Sequence, residues 1–93
     1  MIVTQLEKLV FVAFNTYVVA LDAATGQIAW RWEAPEYDTG EIALVLFDRE
    51  RLIVSVDGYT WCLHPMTGDV IWSNLLEGMD CGRPALVAGN SVR

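Results

Sequence analysis

Short hydrophobic runs separated by turn-forming residues alternate along most of the chain. The runs VFVAF (10–14) and LIVSV (52–56) are rich in β-branched and aromatic residues, as β-strands are. Each run is followed by two residues that suit a hairpin turn, NT at 15–16 and DG at 57–58. The runs YVVAL and YTWCL then return directly. This pattern predicts β-hairpins, and no stretch has a convincing helical spacing.

The hairpins continue into further predicted strands. The turns DAATG and HPMTG place Gly26 and Gly68 where a left-handed residue is needed before the third strands, QIAWRW and DVIWSN. Longer polar loops then lead to IALVLF at 42–47 and to PALVA at 84–88. We therefore expect each half of the chain to form four short antiparallel strands joined by tight turns.

The two halves are copies of one unit, offset by 42 residues. A gap-free comparison gives 51 residue pairs, of which thirteen are identical. Repeat 1 covers about residues 1–42, repeat 2 about residues 43–84, and residues 85–93 begin a further copy. A period near forty is that of one four-stranded blade of a β-propeller. The predicted fold of residues 1–93 is therefore all-β, with two four-stranded antiparallel propeller blades.

One stretch carries a resemblance to a known family. Residues 20–30, ALDAATGQIAW, fill the pattern A-x-D-x-x-T-G-x-x-x-W, and residues 62–72, CLHPMTGDVIW, keep its Thr, Gly and Trp. The pattern resembles the repeat of pyrroloquinoline-quinone (PQQ)-like β-propellers, and the likeness covers nearly the whole chain. In that family the motif tryptophan wedges between blades and docks on the glycine turn. The resemblance implies this structural role for Trp30 with Gly26 and for Trp72 with Gly68.

The second repeat departs from the pattern at two positions. His64 replaces Asp22, and because it keeps a polar group able to bond the turn backbone, we expect a turn residue rather than a metal ligand or general base. Cys62 replaces Ala20, one small residue for another. Cys62 and Cys81 form no CxxC motif, and we expect both thiols to be free and partly buried.

Composition indicates that two blades are not a complete structure. Hydrophobic residues make up 54% of the chain and charged residues 19%, which is much apolar surface for 93 residues to cover. We expect copies to join head to tail, three or four chains closing a ring of six or eight blades, or else the chain to be part of a longer polypeptide. In a ring, PALVA at 84–88 would supply the innermost strand of the next chain's first blade, replacing the weaker copy MIV at 1–3.

Charge excludes some classes of partner. A net charge of −6, with six scattered basic residues, argues against nucleic acid. No hydrophobic run is long enough for a membrane-spanning helix. The chain as written is therefore expected to be cytoplasmic, or extracytoplasmic if it comes from a longer precursor.

The expected function is that of a non-catalytic scaffold or binding module, with no catalytic, metal or cofactor-binding residues assigned. The alternatives are a fragment of a PQQ-dependent dehydrogenase, which alone would call for PQQ and calcium, or of an envelope-assembly propeller. Asp38 and Asp80 occupy equivalent repeat positions in loops at one end of the ring. They could belong to an acidic rim that binds cations or basic peptides, although a solvated rim is the simpler interpretation.

Overall fold

A computed structural model describes residues 6–35, 40–79 and 82–89. In these ranges a 3-10 helix, Leu6–Lys8, precedes the first strand. The described residues form seven strands: β1 (Leu9–Phe14), β2 (Tyr17–Asp22), β3 (Ile28–Glu33), β4 (Ile42–Phe47), β5 (Arg51–Val56), β6 (Tyr59–Leu63) and β7 (Val70–Asn74). The predicted all-β class is confirmed.

The strands form two antiparallel sheets, each a simple meander. Sheet 1 has the order β1-β2-β3 and sheet 2 the order β4-β5-β6-β7. Strand β4 pairs with β5, which makes it the first strand of sheet 2. The strand that repeat 1 would place before β1 falls on residues 1–5, outside the described residues. Sheet 2 therefore has the four strands expected, and sheet 1 shows three in the described part of the chain.

Local backbone geometry follows the turn residues of the sequence. Asn15 has a φ of 51°, and Asp57 and Gly58 have φ values of 52° and 97°, so both two-residue hairpin turns use the left-handed region. The longer turns of the two repeats close alike, because Gly26 donates to the carbonyl oxygen of Asp22 at 2.7 Å and Gly68 to that of His64 at 2.8 Å. Both glycines have a φ near 80°.

The pairing register is also repeated, including its irregularity. Ala20 faces Trp30 in sheet 1, and Cys62 faces Trp72 at the equivalent place in sheet 2. A register shift follows directly after Ala20 in one sheet and after Cys62 in the other. Because directly opposed residues share a face of the sheet, each motif tryptophan lies on the same face as the residue at position 20 or 62.

The core lies between the two sheets and joins unlike faces. We call the side of each sheet that carries its motif tryptophan the indole face and the other side the aliphatic face. The indole face of sheet 1 packs on the aliphatic face of sheet 2. The buried hydrophobic residues of this core are Leu9, Val18, Ala20, Trp30, Ala34, Leu52, Val54, Val56, Trp61 and Leu63.

Residues 84–88, which the sequence predicts to pair with another copy, form no strand within the single chain. They follow the loop after β7 but belong to neither sheet. They lie beside sheet 2, where residues 86–89 line a groove together with Val45, Ile53 and Trp72. The hydrophobic residues at 84–88 therefore lie beside a sheet and are not paired within one.

Candidate functional site

The junction between the sheets is centred on Trp30. Its indole Nε1 donates a hydrogen bond to the carbonyl oxygen of Pro65 at 2.9 Å, in a buried contact. Its ring covers Gly68, where a Cβ atom would lie 2.6 Å from Cε3 of Trp30. Phe11 packs beside the indole with ring centroids 6.1 Å apart. Trp30 therefore docks on the turn of the other repeat, at Gly68, and not on Gly26 of its own repeat as the resemblance implied.

The docking turn is held in shape by its own polar residues. His64 Nδ1 accepts a hydrogen bond from the backbone N–H of Met66 at 3.1 Å. Asp22 does the same in repeat 1, where its Oδ1 accepts from the N–H of Ala24 at 2.8 Å. Both side chains satisfy donors of a tight turn, which is the role expected for His64.

The repeat equivalents of Trp30 and of the Gly68 turn lie on the outside of the chain, and within the described residues they do not dock on each other. Trp72, the equivalent of Trp30, is 42% exposed, whereas Trp30 is 9% exposed. Gly26, the equivalent of Gly68, would have no atom within 4 Å of an added Cβ. An open groove of about 590 Å³ runs beside this turn and is lined by residues 7–8 and 22–25. The chain thus carries an outward tryptophan at one side and a vacant docking turn at the other.

The aliphatic faces show the same asymmetry. Leu52 of sheet 2 is fully buried, but its repeat equivalent Val10 in sheet 1 is 47% exposed. Val12 and Phe14, the equivalents of buried residues in β5, are exposed as well. A sheet face that is covered in repeat 2 is therefore open in repeat 1. Open apolar sheet surface of this kind is typical of an interaction site.

An ion pair adds a polar contact to the junction. Arg49 Nη2 lies 2.8 Å from Glu7 Oε1, and both side chains are largely exposed. Residues 7 and 49 are repeat equivalents, 42 positions apart. This pair was not predicted, although opposite charges at equivalent positions of neighbouring repeats are visible in the sequence.

Only some residues of the predicted acidic rim are among those that the structure describes. Asp38 and Asp80 lie outside the described residues. Among the described residues, Asp57 Oδ1 accepts a hydrogen bond from the backbone N–H of Glu41 at 3.1 Å, and Arg83 lies 3.5 Å from the Glu41 carboxylate. Within residues 6–35, 40–79 and 82–89, no three His, Cys, Asp or Glu side chains group closely enough to hold a metal ion.

Cys62 is a free, buried thiol on the indole face of sheet 2. Burial raises the pKa of this thiol above its ordinary value, and the positive charge of Arg51 opposes part of the rise. A neutral, buried thiol is a packing residue and a poor nucleophile. Cys81 lies outside the described residues.

Comparison of the chain with protein-family models and with curated proteins finds no match. Among the residues that the structure describes, no helix has the length and apolar character needed to cross a membrane.

Proposed function

We propose that the chain is a two-blade unit of a β-propeller that joins copies of itself head to tail into a closed ring of three or four chains. In this proposal the ring acts as a non-catalytic scaffold or binding module. The observation that carries it is the docking of Trp30 on the Pro65–Gly68 turn, while Trp72 and the Gly26 turn remain open on the outer sides.

The geometry of the internal junction supports a head-to-tail contact. An indole face meets an aliphatic face, so the two surfaces of one junction are different. The chain leaves the aliphatic face of sheet 1 open, and it covers the indole face of sheet 2 only in part, with residues 86–89 beside it and Trp72 exposed. Two copies can therefore repeat the internal junction between them. An interface between unlike patches closes into a ring when its rotation permits. In this arrangement Trp72 of one copy donates to the carbonyl oxygen of Ala23 in the next, because Ala23 is the repeat equivalent of Pro65.

The use of the motif residues supports a structural role. Trp30 and Gly68 form the junction, and Asp22 and His64 bond the backbone of their own turns. Each of these residues has a structural contact within the chain. These contacts support a structural use of the motif positions, as expected of a scaffold or binding module.

The test is the native mass of the chain and of two variants, each of which damages one side of the junction. We expect the wild type to have three or four times the mass of the 10.4 kDa chain. Trp72→Ala removes the docking side chain, and Gly26→Ala places a methyl group where the indole must lie. Each variant alone is expected to be monomeric, with an unchanged β-sheet circular dichroism spectrum.

Mixing the two variants gives the sharper result. The intact Trp72 of the Gly26→Ala chain can dock on the intact turn of the Trp72→Ala chain, but neither product can extend further. We therefore expect a mixture to form a heterodimer of two chains and nothing larger. A symmetric face-to-face contact would not be rescued by mixing. A monomeric wild type, or a mixture that stays monomeric, contradicts the proposal.

A further inference from the structure

Residues 84–88 have the burial pattern of a strand although they belong to no sheet. Pro84 and Leu86 are partly buried, whereas Ala85 and Val87 are exposed, Val87 to 76%. Alternation with a period of two is the signature of an extended segment with one side against a surface. The burial of residues 84–88 therefore alternates as that of a strand does, although no strand is assigned to them.

The surface against which it lies is the indole face of sheet 2. Leu86 and the residues after it line one wall of a groove of about 580 Å³, and Val45, Ile53 and Trp72 line another. Strand β4 has the corresponding position in the internal junction, because it contacts β1 of sheet 1 and its Leu44 packs against the shared core. Residues 85–87 and 43–45 are both Ala-Leu-Val. The segment therefore lies where the first strand of a third sheet would lie.

In the described part of the chain, sheet 1 lacks a strand equivalent to β4. In sheet 2, β4 pairs with β5, and the repeat equivalent of β5 is β1. Within the described residues β1 pairs with β2 alone and forms the edge of sheet 1. The edge of a sheet presents backbone N–H and C=O groups that can pair with an added strand. The edge of β1 can therefore accept an added strand.

We propose that residues 84–88 of one copy pair antiparallel with β1 of the next copy and become the innermost strand of its first sheet. This inference rests on the head-to-tail assembly proposed above and specifies how each junction is locked. The occupant is a second copy, because the segment already lies on the face that the next copy must cover.

The repeat fixes the register of the new pair. In sheet 2, Ala43 faces Ser55, Leu44 faces Val54 and Val45 faces Ile53. Shifting each residue by 42 positions places Ala85 opposite Ala13, Leu86 opposite Val12 and Val87 opposite Phe11 of the next copy. The exposed side chains of the segment would then take the same face of the completed sheet as Ala13 and Phe11.

The repeat assigns the same edge to residues 1–5 of the chain itself, which lie outside the described residues. A test must therefore separate a strand donated by another copy from one supplied in cis. Ala13 lies in sheet 1 and Ala85 beside the far face of sheet 2, so a direct bond between these positions joins two chains.

The experiment is disulfide formation in the variant Ala13→Cys/Ala85→Cys, made in a Cys81→Ser background. Directly opposed residues of antiparallel strands have Cβ atoms about 4.5–5.5 Å apart, close to the separation that a disulfide requires. After mild oxidation we expect a ladder of covalent multimers on a non-reducing gel, which a reductant collapses to the single chain. Ala13→Cys/Val87→Cys is the control two residues out of register, and it should cross-link at least tenfold more slowly.

A second measurement removes residues 84–93 and determines the native mass. We expect the deletion to shift the protein from the assembled form to the monomer. If the full chain assembles but the deletion leaves its mass unchanged and Ala13→Cys/Ala85→Cys does not cross-link, strand donation is wrong and the head-to-tail contact stands. If the full chain is a monomer, both proposals are wrong.

Discussion

The indole N–H of Trp30 donates to the carbonyl oxygen of Pro65, 35 residues later in the chain, at 2.9 Å. This bond joins the third strand of sheet 1 to a turn of sheet 2 and satisfies the one polar atom of a large buried side chain. The repeat supplies a second copy of each partner, Trp72 and Ala23, and leaves both on the outside. The contact is therefore occupied inside the chain and open on its outer sides.

The first prediction compares the two motif tryptophans. Trp30→Ala removes a buried aromatic side chain from the core and should lower the free energy of unfolding by about 3–5 kcal/mol. Trp30→Phe keeps most of the ring but leaves the Pro65 oxygen without its donor, at a cost of about 1–3 kcal/mol.

Trp72→Phe is the matched control, because the same change is made at an exposed repeat equivalent. It should change the free energy of unfolding of the isolated chain by less than about 1 kcal/mol. Denaturant unfolding followed by circular dichroism measures these values. In the wild type the melting temperature should rise with protein concentration, and in Trp72→Phe this rise should be weaker. Equal destabilisation by the Phe variants at positions 30 and 72 would contradict the assignment of an occupied and a vacant contact.

The second prediction compares the two turn glycines. Gly26 and Gly68 have φ values of 79° and 82°, so an alanine at either pays a similar backbone penalty of about 1–2 kcal/mol. At Gly68 the new Cβ would also lie 2.6 Å from the Trp30 ring, whereas at Gly26 it meets no atom within 4 Å.

We therefore expect Gly68→Ala to lower the free energy of unfolding by ~2 kcal/mol more than Gly26→Ala does. Chemical denaturation of both variants, each measured as a monomer at low concentration, gives the difference. Because the backbone penalty is shared, the difference isolates the clash with Trp30. Two variants of equal stability would show that the contact at Gly68 does not limit the packing of the sheets.

The third prediction concerns the pair Glu7–Arg49. Both side chains are largely exposed, so the pair should contribute less than about 1 kcal/mol to the stability of one chain. In a head-to-tail ring the two positions alternate around the assembly, so that Arg49 has a Glu7 on either side. Arg49→Glu should therefore weaken assembly several-fold at low salt, and the double exchange Glu7→Arg/Arg49→Glu should restore it.

Sedimentation or light scattering over a concentration series measures the assembly of these variants. The effect of Arg49→Glu should shrink at high ionic strength, since exposed charges are screened. If the double exchange assembles no better than Arg49→Glu alone, positions 7 and 49 do not meet between copies.

The fourth prediction follows from the buried thiol. Because burial raises the pKa of Cys62 in the folded chain, the unfolded chain releases the thiol proton at a lower pH than the folded chain does. The contribution of the buried, neutral thiol to the free energy of unfolding is fully present below the unfolded pKa of about 8.5. It is lost as the pH rises through the folded pKa. The free energy of unfolding should therefore fall more steeply above pH 8.5 in the parent than in Cys62→Ala.

Both proteins should be made in a Cys81→Ser background, so that Cys62 is the only thiol of the parent. Urea denaturation between pH 7 and pH 10 gives the free energy of unfolding of both proteins as a function of pH. Subtracting one curve from the other cancels the contributions that the two proteins share. Alkylation by iodoacetamide at pH 8 should also be slow in the folded protein and fast in urea. Parallel stability curves together with rapid alkylation of the folded chain would show that Cys62 is not protected.

Much of the local structure was predictable because it depends on neighbouring residues. The strands follow the period-two alternation, and the turns follow residues that tolerate a positive φ, such as Asn15, Gly58 and Gly68. The hydrogen bond from Met66 to His64 likewise lies within one turn. The sequence did not show whether β4 is the last strand of sheet 1 or the first strand of sheet 2. Its pairing with β5 places it in sheet 2.

The candidate site was predictable in its residue types but not in its partners. The motif indicated Trp30 and Gly68 as docking residues, yet only the packing of one sheet on the other pairs them with each other. The ion pair Glu7–Arg49 was not predicted for the same reason. A contact between elements far apart in the chain depends on the crossing of the sheets, which no local pattern encodes.

The sequence by itself determined a duplicated unit, its strands and turns, and the chemical character of each sheet face, because alternation and backbone preference act over a few residues. The tertiary structure alone decided which face is covered and which is open. The two repeats share their hydrophobic pattern and the Thr, Gly and Trp of the motif, but in a stack of two sheets only one indole face and one aliphatic face can meet. The exposure of Trp72 and Val10 is therefore a consequence of ending the stack after two sheets.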